Sequence, residues 1–110
     1  MITGSLTINT WRHTVAWYTC RVNGVGPAAD GTETPDGTVY INVTDTASPP
    51  GLQGGQWFYC ADNSKSQMLA VAIAAISIGT TVEFGAVPPN ANNTPFTEVS
   101  RLYLNAPQSQ

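Results

Sequence analysis

Residues 64–79, SKSQMLAVAIAAISIG, constrain this chain more than any other stretch. Apolar residues at Leu69, Ile73 and Ile76 recur at i, i+4 and i+7, a Ser-x-x-Gln capping box from Ser64 to Gln67 opens the run, and Gly79 offers a left-handed C-cap. A helix of about four turns is predicted here. Both flanks read as strand and turn, so this single helix has to close the core of a small β domain by covering its open end.

The flanks supply five strands. Residues 14–23 set Val15, Trp17 and Thr19 against Ala16, Tyr18, Cys20 and Val22, and this strand is expected to end at NGVGP. A loop over 27–37 carries the turn signals Asp30-Gly31 and Asp36-Gly37. Residues 38–46 alternate Val39, Ile41 and Val43 with Tyr40, Asn42 and Thr44, the pattern of a half-buried antiparallel strand. Residues 47–55, ASPPGLQGG, hold too much proline and glycine to pair and are expected to form a flexible connection.

An aromatic strand, QWFYCA, follows over 56–61 and leads through Asp62 and Asn63 into the helix. Beyond the helix, residues 80–87 place Val82, Phe84 and Ala86 on one face with Thr81 and Glu83 on the other. After a polar loop over 88–95, residues 96–104 set Ser100, Leu102 and Leu104 against Val99, Arg101 and Tyr103. Residues 1–10 read as an N-terminal arm or edge strand, and 105–110 as a frayed tail. The order β-β-β-α-β-β in one domain spanning 1–110 is that of a five-stranded, OB-fold-like Greek-key barrel, mainly β with one helix.

Composition narrows the function. The chain has 110 residues, 42% hydrophobic and only 10% charged, a balance common in extracellular β proteins. Its formal charge of -3, with Arg12, Arg21, Lys65 and Arg101 as the basic residues, leaves no electrostatic footprint for a phosphate backbone. No apolar run reaches the roughly 20 residues of a membrane span, so no membrane insertion is expected. Met1 runs into ITGSLTINT without a basic region and an apolar core, and no signal peptide is read there. The expected location is nonetheless secreted, periplasmic or extracellular. Cys20 and Cys60 fall in two predicted strands and are compatible with one disulfide there, two buried thiols being the other reading.

The run WFYCADNSKSQMLAVAIAAISIGTTVEF joins an aromatic strand containing Cys, a polar-capped Ala-rich helix and a Gly-Thr-Thr-Val lead into the next strand. It resembles the B subunits of bacterial AB5 toxins, of the subtilase-cytotoxin, typhoid-toxin and pertussis types, over about the last half of the chain. The resemblance implies five OB folds in a ring, helices around its central channel, outer faces that bind cell-surface glycans, and a catalytic A-type partner chain. This chain departs from that pattern in having no second Cys just before the helix, its N-terminal half matches little, and no glycan-binding residue of that family is carried over.

The helix gives a separate reason to expect assembly. Ala70, Val71, Ala74, Ala75 and Ile78 make most of its remaining surface apolar, and a helix apolar nearly all round is covered on more than one side. Ala70, Ala74, Ala75 and Ile78 are the expected interface of a homo-oligomer with closed symmetry, a pentamer by the resemblance.

Catalytic chemistry finds little support. His13 is the single histidine, with no nucleophile and orienting acid assigned to it. Asp30, Glu33 and Asp36 share a turn-rich loop that lacks the spacing of a calcium loop. No enzyme activity, metal or cofactor is expected. Asn42-Val43-Thr44 and Asn92-Asn93-Thr94 match the glycosylation sequon, relevant only in a eukaryotic secretory host. Recognition is better served, since Trp11, Trp17, Tyr18, Tyr40, Trp57, Tyr59 and Tyr103 offer flat faces for a sugar beside hydroxyl and amide groups. The candidate ligand-binding residues are Tyr40, Asn42 and Thr44 on the second strand with Trp57 and Tyr59 on the third. A glycan-binding module is the first expectation, a structural or assembly protein the alternative, and a single-stranded nucleic-acid-binding OB domain the third.

Overall fold

Alternating inward residues close the chain on itself. The computed structural model describes residues 15–28, 37–90 and 96–107, and among these the elements run β1 (Ala16–Ala28), β2 (Thr38–Asp45), β3 (Gln56–Cys60), α1 (Lys65–Ile78), β4 (Thr81–Ala86) and β5 (Glu98–Leu104). The five strands form a closed barrel in the order β1-β2-β3-β5-β4, antiparallel except for β3 with β5. This is an OB-fold-like Greek-key barrel, with its helix between the third and fourth strands.

Strand β2 buries Val39, Ile41 and Val43, and β4 buries Val82, Phe84 and Ala86, as their period of two requires. Phe58 and Phe84 meet edge to face at 4.7 Å in the middle of this core.

Two strands depart from simple alternation. β1 does not end at NGVGP but runs through it to Ala28, because a bulge shifts its register against β2 between Val22 and Gly24. Pairing of Val22 with Val43 and of Gly24 with Asn42 leaves Asn23 as the extra residue. β5 has its own irregularity opposite Gly85 and Ala86, which pair with Arg101 and Val99. Ser100 is the extra residue there, so Val99 and Leu102 both point inward, where strict alternation had put them on opposite faces.

The helix spans the expected residues in a different setting. Gly79 is its left-handed C-cap, φ +80, and donates its N–H to the carbonyl of Ala75 at 2.9 Å. Ser64 occupies the N-cap but makes no side-chain capping bond, so the capping box does not form. The stripe turned to the barrel is Met68, Ala72 and Ala75, with Leu69 and Val71 packed beside it. Ile73 and Ile76 are instead about half exposed, at 49% and 46%. Alanines let the helix backbone approach the barrel closely, and apolar residues on every side left the inward stripe open to misreading.

Segment 47–55 is no loose connection. Leu52 is buried in the core, and the carboxylate of Asp45 accepts backbone N–H bonds from Ala47, Gly51 and Leu52 at 2.9, 2.7 and 3.2 Å. The start of the tail is tied as well: Asn105 donates its backbone N–H to Thr81 and its side-chain amide to Thr81 and Glu83.

Cys20 and Cys60 are separate buried thiols, not a disulfide. Cys20 lies beside Asp45 at one end of β2, whereas Tyr59, next to Cys60, lies beside Tyr40. The intervening stretch of β2 spans about 17 Å, far beyond the reach of one bridge.

Candidate functional site: the outer face of β2 and β3

The antiparallel register of β2 and β3 sets Tyr40 across from Tyr59 and Asn42 across from Trp57. With Thr44 two residues along β2, the five residues chosen from the sequence share one outward face. Trp57 is 44% exposed, while Tyr40 and Tyr59 are half buried. Phe96 packs edge-on against Tyr40, with ring centres 5.8 Å apart.

Polar groups on this face are held in a fixed pattern. Asn23 donates through its side-chain amide to Oδ1 of Asn42 at 2.8 Å and to Oγ1 of Thr44 at 2.7 Å. Asn42 in turn donates to the carbonyl of Gly55 at 2.7 Å, and the Gly55 N–H reaches Oγ1 of Thr44 at 3.3 Å. The result is a pre-set amide and hydroxyl array beside an exposed indole. Asn23 was missed in the sequence because it sits on the β1 bulge, which turns its side chain onto β2. Burial above all, then Glu98 and Tyr40, pushes the Tyr59 phenol above its usual range, so this hydroxyl stays protonated as a donor or acceptor at neutral pH.

A second exposed aromatic group lies on β1, β4 and β5. Trp17 and Tyr103 stack with centres 5.8 Å apart and planes inclined by 26°, and the Arg101 guanidinium sits 5.9 Å from the indole centre. Gly85, between Trp17 and Arg101 in the sheet, keeps the space beneath them. Between β5 and α1 runs a groove of about 440 Å³, floored by Met68, Val71 and Leu102 and edged by Arg101 and Tyr103.

Of the four helix residues assigned to a subunit interface, Ala70 and Ile78 are exposed, Ala74 is half buried and Ala75 is turned into the barrel's own core. Trp11, His13, Asp30, Glu33, Asp36 and the Asn92 sequon lie outside the described residues. Among the described residues, no three of His, Cys, Asp and Glu converge as a metal site. Comparison with protein-family models, with characterised proteins and with solved structures finds no match.

Proposed function

We propose that this protein is a non-catalytic carbohydrate-binding module that recognises a cell-surface glycan on the outer face of β2 and β3. The observation carrying this reading is the exposed Trp57 indole beside the Asn23–Asn42–Thr44 hydrogen-bonded array. A pyranose ring would stack on the indole while its hydroxyls exchange hydrogen bonds with the array. This face of an OB barrel is also the one that most often takes oligosaccharides or oligonucleotides. Arg21, Lys65 and Arg101, the described cations, do not form a stripe along it, which favours the uncharged polymer over the phosphodiester.

In this proposal the module works as a secreted homo-oligomeric ring, pentameric by its resemblance to AB5 toxin B subunits, with an A-type catalytic chain as its possible companion. The alternative is a structural or assembly protein without sugar binding, favoured by the exposed Ile73, Ile76 and Ile78 on α1.

A glycan array with the full chain separates the two. Binding to a defined set of sugars, weakened about tenfold by Trp57→Ala, supports the lectin. Absence of any bound sugar from a chain that is a stable oligomer by light scattering leaves the assembly reading.

A further inference from the structure

Strand β5 has an open edge. Its pairing with β3 covers only Glu98 and Val99, and from Ser100 onward it pairs with β4 alone. The groove lies along this uncovered edge, with Ser64, Gln67, Met68 and Val71 of the helix segment forming its opposite wall. Seven residue steps of helix and three of strand each span about 10 Å, so the two walls are of matching length.

The side chains of the edge alternate in character. Leu102 is buried and turns inward, where Met68 and Val71 continue an apolar floor. Arg101 and Tyr103 turn outward, joined by a contact of 3.5 Å from the Arg101 guanidinium to the Tyr103 hydroxyl. Lys65 stands 3.8 Å from the Asp62 carboxylate, but among the described residues Arg101 has no carboxylate partner. A cation without an acid, an apolar slot and a row of backbone groups thus lie side by side.

We propose that this groove captures an extended, acidic peptide segment of a partner protein, which adds to β5 as a further strand between it and α1. Paired residues on neighbouring strands point to the same side, so the arrangement specifies the segment's pattern. An apolar residue opposite Leu102 enters the slot over Met68 and Val71. The residue next to it, opposite Arg101, is Asp or Glu and pairs with the guanidinium across the strands. The backbone supplies affinity and the alternate side chains supply the choice of partner. This site is independent of the β2–β3 face and of the sugar reading.

The test uses the full-length chain and a capped hexapeptide of Thr and Val with one central Glu-Val step, followed by calorimetry. Two further peptides replace the Glu by Lys, or carry an N-methyl group on the backbone amide of the central Val. The expected result is binding of the Glu peptide, with the Lys peptide at least about tenfold weaker because like charges then face each other. The variant Arg101→Glu reverses that preference, and it stands on an exposed position whose loss leaves the far-ultraviolet spectrum unchanged. N-methylation abolishes binding. No binding of the Glu peptide overturns the proposal, as does equal binding of the N-methylated peptide or a preference that does not reverse in Arg101→Glu. It is equally overturned if the peptide binds only by dissociating an oligomer, which would make a second copy of this chain the occupant.

Discussion

The carboxylate of Asp45 accepts the backbone N–H of Gly51, six positions further on, at 2.7 Å, closing a loop over the end of β2. Asp45 is itself buried and holds two more N–H groups of the same segment, so one side chain anchors the loop that delivers Leu52 to the core. Replacing it leaves three donors seeking partners. Asp45→Ala is expected to destabilise the protein by about 2–4 kcal/mol, and Asp45→Asn by somewhat less because one carbonyl oxygen remains. Urea unfolding followed by fluorescence checks the order; an unchanged midpoint in Asp45→Ala would show that the loop holds itself.

Gly85 is a second position where a small change has a large expected effect. A Cβ there would stand 3.2 Å from Cβ of Arg101, 3.2 Å from Cγ1 of Val15 and 3.4 Å from the Trp17 ring. Cβ of Arg101 is tied to the β5 backbone beside Gly85, while the Val15 methyl and the Trp17 ring have to turn aside to make room. Gly85→Val is expected to cost about 1–3 kcal/mol and to alter the near-ultraviolet circular dichroism of Trp17. Gly24, which has open space around it, serves as the control: Gly24→Ala should leave that signal unchanged.

Asn23 joins the candidate sugar face to the β1 bulge. Asn23→Ala removes both of its bonds, to Asn42 and Thr44, from an exposed site, so a stability loss of only about 0.5–1 kcal/mol is expected. Its effect on a sugar identified by the array should be larger in proportion, because Asn42 and Thr44 lose their fixed orientation. Titration of that sugar with both proteins checks this; an unchanged affinity would place the sugar elsewhere.

Legibility in the sequence followed the regularity of the backbone. Val39, Ile41 and Val43, or Val82, Phe84 and Ala86, lie on unbroken strands, and period two named their buried faces. In β1 and β5 one extra residue, Asn23 or Ser100, resets the alternation, and nothing in NGVGP or EVSRLYL marks where the reset falls. The helix was located by Gly79 and its apolar run, but its inward stripe was not, since Ile73 and Ala72 differ in size and hardly in polarity. Tyr40, Asn42, Thr44, Trp57 and Tyr59 could be grouped because both of their strands are regular. Asp45 stayed hidden because a strand-end aspartate looks the same whether it faces water or anchors a loop.

The outward side of α1 makes its own prediction about assembly. Ile73, Ile76 and Ile78 are each about half exposed on a helix whose single charged residue, Lys65, lies at its first turn. If copies meet there, Ile73→Asp with Ile76→Asp introduces charges into an apolar contact and should reduce the mass seen by light scattering to that of one chain. The barrel itself should survive, because neither residue faces its core. Retention of the same oligomer in the double variant would place the contact elsewhere.

Alkaline pH tests the two thiols. Burial above all pushes Cys20 up to about 12, with Asp45 and Glu83 adding to it, and Cys60 up to about 11, with Glu98 adding. Both start from an ordinary value of 9.0, so the folded state keeps protons that the unfolded chain gives up once the pH passes that point. The stabilisation is complete below pH 9 and is lost progressively as the pH rises toward the folded values of about 11 and about 12. The variant Cys20→Ala with Cys60→Ala starts less stable, through lost packing, but should show a shallower fall in its urea midpoint between about pH 8 and about pH 10.5. In the native protein a thiol reagent at neutral pH should label neither cysteine until denaturant is added, and then both. Parallel pH profiles for the two proteins, or rapid labelling of the folded chain, would contradict the buried-thiol core.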